Sequence, residues 1–152
     1  MKQSPSNGEL HERLGPSPFS SGGFLGHDTR PVDEIINDDA RVLESLDITQ
    51  EQLADALTGA FEKTREGLGA EVELFPNVVG KFYESMGRIP SPFRGEGVFE
   101  KGEAVVTDTT TNEKIIISRL SINLIRKHCF FQGKGSRFRI EPKKAVSILR
   151  LK

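Results

Sequence analysis

The chain is short of the features that define several protein classes. A single one of its 152 residues is cysteine, Cys129, so no internal disulfide framework can form. That fits a reducing compartment, and a cytoplasmic location is the expectation. No apolar run approaches the roughly 18 residues that a membrane helix needs, so no membrane partner is expected. The opening Met1-Lys2-Gln3-Ser4-Pro5 leads into no apolar stretch, which predicts no signal peptide. Apolar residues make up only 36% of the chain, and the deficit is concentrated at the front. There is no internal repeat and no Gly-x-x-x-x-Gly-Lys-Ser/Thr phosphate loop.

Residues 1–23 are rich in Ser, Gly, Pro and Asn, with only Leu10, Leu14 and Phe19 as larger apolar groups. So little surface cannot offset the entropy of ordering. The expectation is a disordered tail over 1–23 and a single domain over 24–152.

What the chain does have is a division of charge. Residues 114–152 carry eleven bases against one acid, Glu141, for a net +10; the rest of the chain is −11. The net charge of −1 hides this. It points either to an anionic partner for the last quarter or to two regions that face one another within one fold.

The periodicity predicts two helices, then strands, then two short helices. Pro31–Leu46 places Val32, Ile35, Ile36, Leu43 and Leu46 on one face, with Pro31 at an early helical position. Thr49-Gln50-Glu51-Gln52 matches a capping box, and Leu53, Ala56, Leu57, Ala60, Phe61 and Leu68 follow at helical spacing. So short a connection predicts an antiparallel helical pair. Glu71–Phe75 and Val79–Ser85 are expected strands, and Arg88–Gly97, with Pro90, Pro92, Gly95 and Gly97, an irregular loop. Val98–Asp108 and Lys114–Ser118 are expected to pair around a polar turn. Leu120–His128 is a third helix, Arg137–Ile140 a short strand, and Pro142 opens a last helix. Helices and strands in runs, rather than in strict alternation, predict an α+β fold with an antiparallel sheet of about four strands.

Five stretches are candidates for chemistry. Leu46–Ala54 resembles the opening of a phage-repressor helix-turn-helix, but Thr58 stands where that family has its glycine. Residues 28–66 also carry eleven acids against four bases, which would repel phosphates, so a capped helical hairpin is the plainer expectation. In Gly133-Lys134-Gly135-Ser136 the glycines would let backbone N–H groups approach an anion, with Lys134 and Ser136 completing a cradle. Arg137 and Arg139 would share one face if their segment were a strand. His128-Cys129 sets an imidazole beside a thiol, with no carboxylate within ten residues to orient the ring. Among the donors His11, His27, Asp28, His128 and Cys129, His11 lies in the tail, so no closed zinc site is expected; an open site of His27, Asp28 and His128 stays possible. Finally, Arg88–Gly97 is stiffened by prolines and carries Arg88 and Arg94.

Three stretches, Phe24–Pro31, Ile89–Phe93 and Phe131–Arg139, resemble segments of a group of small uncharacterised bacterial proteins. The resemblance spans roughly Phe24 to Leu149 and implies that Phe24 opens the domain. That group has no known activity, so it transfers no catalytic residue, substrate or cofactor.

The functional expectation is a binding protein whose basic C-terminal region engages an anion through Arg126, Lys134, Ser136, Arg137 and Arg139. The anion would be a nucleic acid or a phosphorylated small molecule; Phe130, Phe131 and Phe138 suit either base stacking or a core. The alternatives are an enzyme in which His27, Asp28 and His128 meet in a cleft, and a module that binds a protein partner. No cofactor is identified by the pattern.

Overall fold

The computed structural model describes residues 23–151, so most of the expected tail, residues 1–22, lies outside the described residues, as does Lys152. The fold is mixed helix and strand, with four helices among the described residues. Helix α1 spans Val32–Ser45 and helix α2 Gln50–Glu66. Pro31 is the residue before α1 rather than its first residue; its fixed φ leads the chain in, and its carbonyl accepts the Ile35 N–H. The cap of α2 forms as expected: Thr49 Oγ1 accepts the Gln52 N–H, and Gln52 Oε1 accepts the Thr49 N–H.

Strands β1 (Val72–Phe75), β2 (Val78–Tyr83), β5 (Glu103–Asp108) and β6 (Glu113–Ser118) form an antiparallel sheet in the order β1-β2-β5-β6. Strands β3 (Arg88–Pro90) and β4 (Val98–Glu100) pair as a separate two-stranded ribbon. Helix α3 spans Arg119–His128 and helix α4 Pro142–Ile148. The expected antiparallel pairing of α1 with α2 is not a principal packing: α2 lies against α3 and the sheet, and α1 against α4.

Two expectations are corrected by the sheets. Arg88–Gly97 is not wholly irregular, because Arg88–Pro90 pairs with Val98–Glu100. The expected strand Val98–Asp108 is two strands in two sheets. It breaks at Lys101-Gly102, where Gly102 is so close to the Phe82 ring that a Cβ would collide with it.

Alternation along β2, β5 and β6 sends Val78, Phe82, Ala104, Val106, Ile115 and Ile117 inward. There they meet Leu53, Leu57 and Phe61 of α2 and Val146 and Leu149 at the end of the chain. The opposite face is half-buried to exposed, as an antiparallel sheet allows. A second cluster joins Phe24, Leu25, Val32 and Ile35 to Phe93, Leu120, Leu124 and Phe130. It draws the first described residues under α3.

Candidate functional site

The first described segment and the glycine loop are clasped together by backbone. The Gly133 N–H donates to Phe24 O (2.8 Å), and the His27 N–H to Lys134 O (3.0 Å). Glycine is required here: a Cβ on Gly26 would strike the backbone of Gly135 and Ser136, and one on Gly133 the carbonyl of Leu25. The loop does receive an anion, but its own. The Lys134 N–H donates to Asp28 Oδ2 (3.1 Å), and Arg30 holds both oxygens of the same carboxylate. The Arg30 guanidinium holds the Asp28 carboxyl well below the usual carboxylate range. The Ser136 hydroxyl is buried against Gly23 O and the Gln132 side chain.

The expected strand at Arg137–Ile140 does not form, so Arg137 and Arg139 do not share a face. Arg139 points inward. Its guanidinium takes both oxygens of Asp39 in α1 at 2.9 Å, donates to Gln132 O, and holds Glu141. Arg139 and Asp39 side chains are each 6% exposed. Burial works against the charge on Arg139, and the two carboxylates outweigh it. Arg137 turns the other way, gripping Glu103 at the start of β5 through two bonds of 2.9 and 2.7 Å. Arg126 reaches back to Asp55 of α2 at 2.9 Å.

The same pattern runs through the whole basic quarter. Each of its five arginines has a carboxylate partner: Arg119 with Glu62, Arg126 with Asp55, Arg137 with Glu103, Arg139 with Asp39 and Glu141, and Arg150 with Asp108. Among the described residues, the lysines Lys114, Lys127, Lys134, Lys143 and Lys144 have none. Of the expected anion set, Lys134 keeps an exposed side chain, while Arg126, Ser136, Arg137 and Arg139 all have partners within the chain.

The other candidates separate likewise. His27 lies against Gly135, Asp28 belongs to Arg30, and His128 pairs with Glu96. Among the described residues no three His, Cys, Asp or Glu side chains gather as a metal site, so the arrangement of His27, Asp28 and His128 does not form. Glu96, 32 positions from His128, was invisible to a search confined to ten residues. Its Oε2 lies 2.7 Å from His128 Nε2, and its Oε1 accepts from Asn123 Nδ2 at 2.9 Å. Phe93 stacks on the imidazole with ring centres 3.6 Å apart. The imidazole is thus held by a carboxylate, but it does not line the cavity described below. Cys129 is buried in a left-handed conformation (φ 53°) at the end of α3. Burial, with Asp39 nearby, pushes its thiol pKa up, away from a reactive thiolate.

The arrangement with a receptive geometry is a cavity of about 210 Å³ where β5 starts, between the ribbon and the glycine loop. Phe24, Ile89, Leu120 and Phe138 supply its apolar lining, and Lys101, Glu100, Glu103, Arg137 and Gln132 its polar one. Gln132 is only 3% exposed. One end of its carboxamide bonds Ser136 Oγ; the other meets no partner among the described residues. The side chain lines the cavity, which places the unpaired end of the carboxamide at its wall. Sequence reasoning had Arg137 but not its setting, because the lining is drawn from five separate parts of the chain.

No helix among the described residues is long and apolar enough to cross a membrane. No protein-family model, curated protein or solved structure matches this chain.

Proposed function

We propose that this protein binds a small organic anion in the cavity beside Arg137, with the ligand's apolar body on Phe24, Ile89, Leu120 and Phe138. The observation that carries the reading is the convergence of the Arg137 guanidinium and the free end of the buried Gln132 carboxamide on an apolar lining. Binding sites for small molecules are typically apolar hollows with a few placed polar groups. A volume of about 210 Å³ is below the roughly 300–1,000 Å³ of pockets for drug-sized ligands, which points to a metabolite-sized occupant. A planar guanidinium suits a carboxylate or a phosphate, which it takes through two parallel bonds.

The five arginine–carboxylate pairs, Arg137–Glu103 among them, weigh against an extended nucleic-acid surface, which would have to break several of them, whereas a ligand in the cavity breaks one. The unpaired lysines favour that second reading, as point charges against a phosphate backbone. Titration with small aliphatic and aromatic carboxylates and with phosphate monoesters, followed by amide shifts of Gly102, Ser118 and Gln132, separates the two. The small-anion reading expects saturable shifts there that Arg137→Gln abolishes. Binding of single-stranded RNA at about 50 mM salt, falling steeply as salt rises, with those three amides unmoved by any small anion, would replace it with the nucleic-acid reading.

A further inference from the structure

The cavity wall already contains a closed ion pair, and that constrains what an incoming ligand must carry. Arg137 spends two of its donors on Glu103. The two partners are unequal: the Arg137 side chain is 52% exposed, Glu103 only 13%. Among the described residues no other cation lies within ion-pair distance of Glu103. A ligand carboxylate that captured Arg137 would leave Glu103 as a largely dehydrated charge with no partner, and stranding one member of such a pair is strongly unfavourable. The arginine, half exposed, is readily rehydrated; the glutamate is reached by water only through the cavity itself. Of the two acids that line the cavity, Glu100 is also held by Arg65 (3.5 Å), so Glu103 is the one whose ion pair depends on Arg137 alone.

We infer that the ligand is a zwitterion of the amino-acid type, whose carboxylate takes the Arg137 fork while its ammonium group replaces the guanidinium on Glu103. Such an exchange begins with one ion pair and ends with two. The aliphatic or aromatic side chain of the ligand then rests on Phe24, Leu120 and Phe138, and the free end of the Gln132 carboxamide meets the ligand's polar head. This assignment rests on the cavity being the binding site; it adds the second charge.

Calorimetric and amide-shift titrations with matched triplets test it. One set is L-leucine, 4-methylvalerate, which lacks the ammonium group, and isopentylamine, which lacks the carboxylate. The other is L-phenylalanine, 3-phenylpropionate and 2-phenylethylamine. The zwitterion of at least one set is expected to bind at least ten-fold more tightly than both of its singly charged counterparts. Glu103→Gln should erase the preference over the carboxylate, by weakening the amino acid and strengthening the plain acid, since no carboxylate is then left stranded. The comparison on the unaltered protein stands even if that variant folds poorly. Carboxylates that bind as tightly as their amino acids overturn the zwitterion and leave the anion site intact. If neither amino acids nor carboxylates move the cavity amides at about 10 mM, or if the amines bind most tightly, both readings fall.

Discussion

At the scale of single residues, the two kinds of base divide the work. Arginine offers a rigid planar fork that matches a carboxylate, whereas lysine is a hydrated point charge on a flexible stem. Here the arginines tie the basic quarter to the rest of the fold, and the five described lysines remain at its surface. The ties are not equal. Arg139 and Asp39 are both nearly sealed from water, so removing one strands the other. Arg139→Ala is expected to cost about 3–5 kcal/mol, and Arg126→Ala, whose partner Asp55 is 65% exposed, under about 1 kcal/mol. Urea midpoints of the two variants check this; equal losses would mean that Asp39 finds water once Arg139 is gone. Sequence reasoning set Asp39 away from the apolar face of α1, yet it is buried on that face, four residues from Ile35 and four from Leu43, and an acid in that place needs a cation. Which cation was not legible, because Arg139 lies 100 positions away.

At the scale of elements, what the sequence foretold follows from how locally each element is determined. Helix α2 was readable because its cap and its apolar stripe are set by residues within one or two turns of each other. The break between β4 and β5 was not, because it is imposed by Phe82 of a neighbouring strand. The expected strand after Ser136 fails for a similar reason: Arg139 is drawn to Asp39 and to Gln132 O, and no strand pairs with its backbone. The cavity was the least legible feature, since Phe24, Leu120 and Gln132 become neighbours only when three elements have docked. The contact between α2 and β2 gives a sharper test of element packing. Thr64 is wholly buried with no hydrogen-bond partner for its hydroxyl, and Gly80 lies directly against it. Thr64→Val, which deletes a polar atom that nothing satisfies, should leave the urea midpoint unchanged or raise it. Gly80→Ala should cost about 1–3 kcal/mol by overpacking, and much less in a Thr64→Ala background. The same cost in both backgrounds would show that the two elements part on their own.

At the scale of the whole molecule, opposite charges that face one another make stability depend on acid. Arg30 holds the Asp28 carboxyl below its ordinary value of 3.8, and Arg139 holds Glu141 below 4.5. The Thr110 N–H, with Arg150, does the same for Asp108. A carboxyl whose pKa is lower in the folded than in the unfolded chain binds fewer protons when folded. Its contribution is complete above the unfolded value and is lost as pH falls toward the folded one. Urea midpoints should therefore not fall through these groups between about pH 7 and pH 5, and should drop below about pH 4. Asp28→Asn should flatten that drop in part. A midpoint unchanged down to about pH 3 would mean that these pairs persist equally in the unfolded chain.

The clasp between Gly23–Asp28 and Gly133–Ser136 sets a clock as well as a shape. Phe24 and Leu25 share their cluster with Val32 and Ile35, but their burial is completed only when Leu124, Phe130 and Gly133, about a hundred positions later, have arrived. During synthesis at roughly 5–20 residues per second, the first apolar side chains of the described fold wait for about five seconds or more before the last of their partners exist. Contacts of such separation also slow folding itself, because the entropy of closing the loop comes before any reward. In that interval Phe24 and Leu25 remain partly uncovered, and it is then that a chaperone would find this chain.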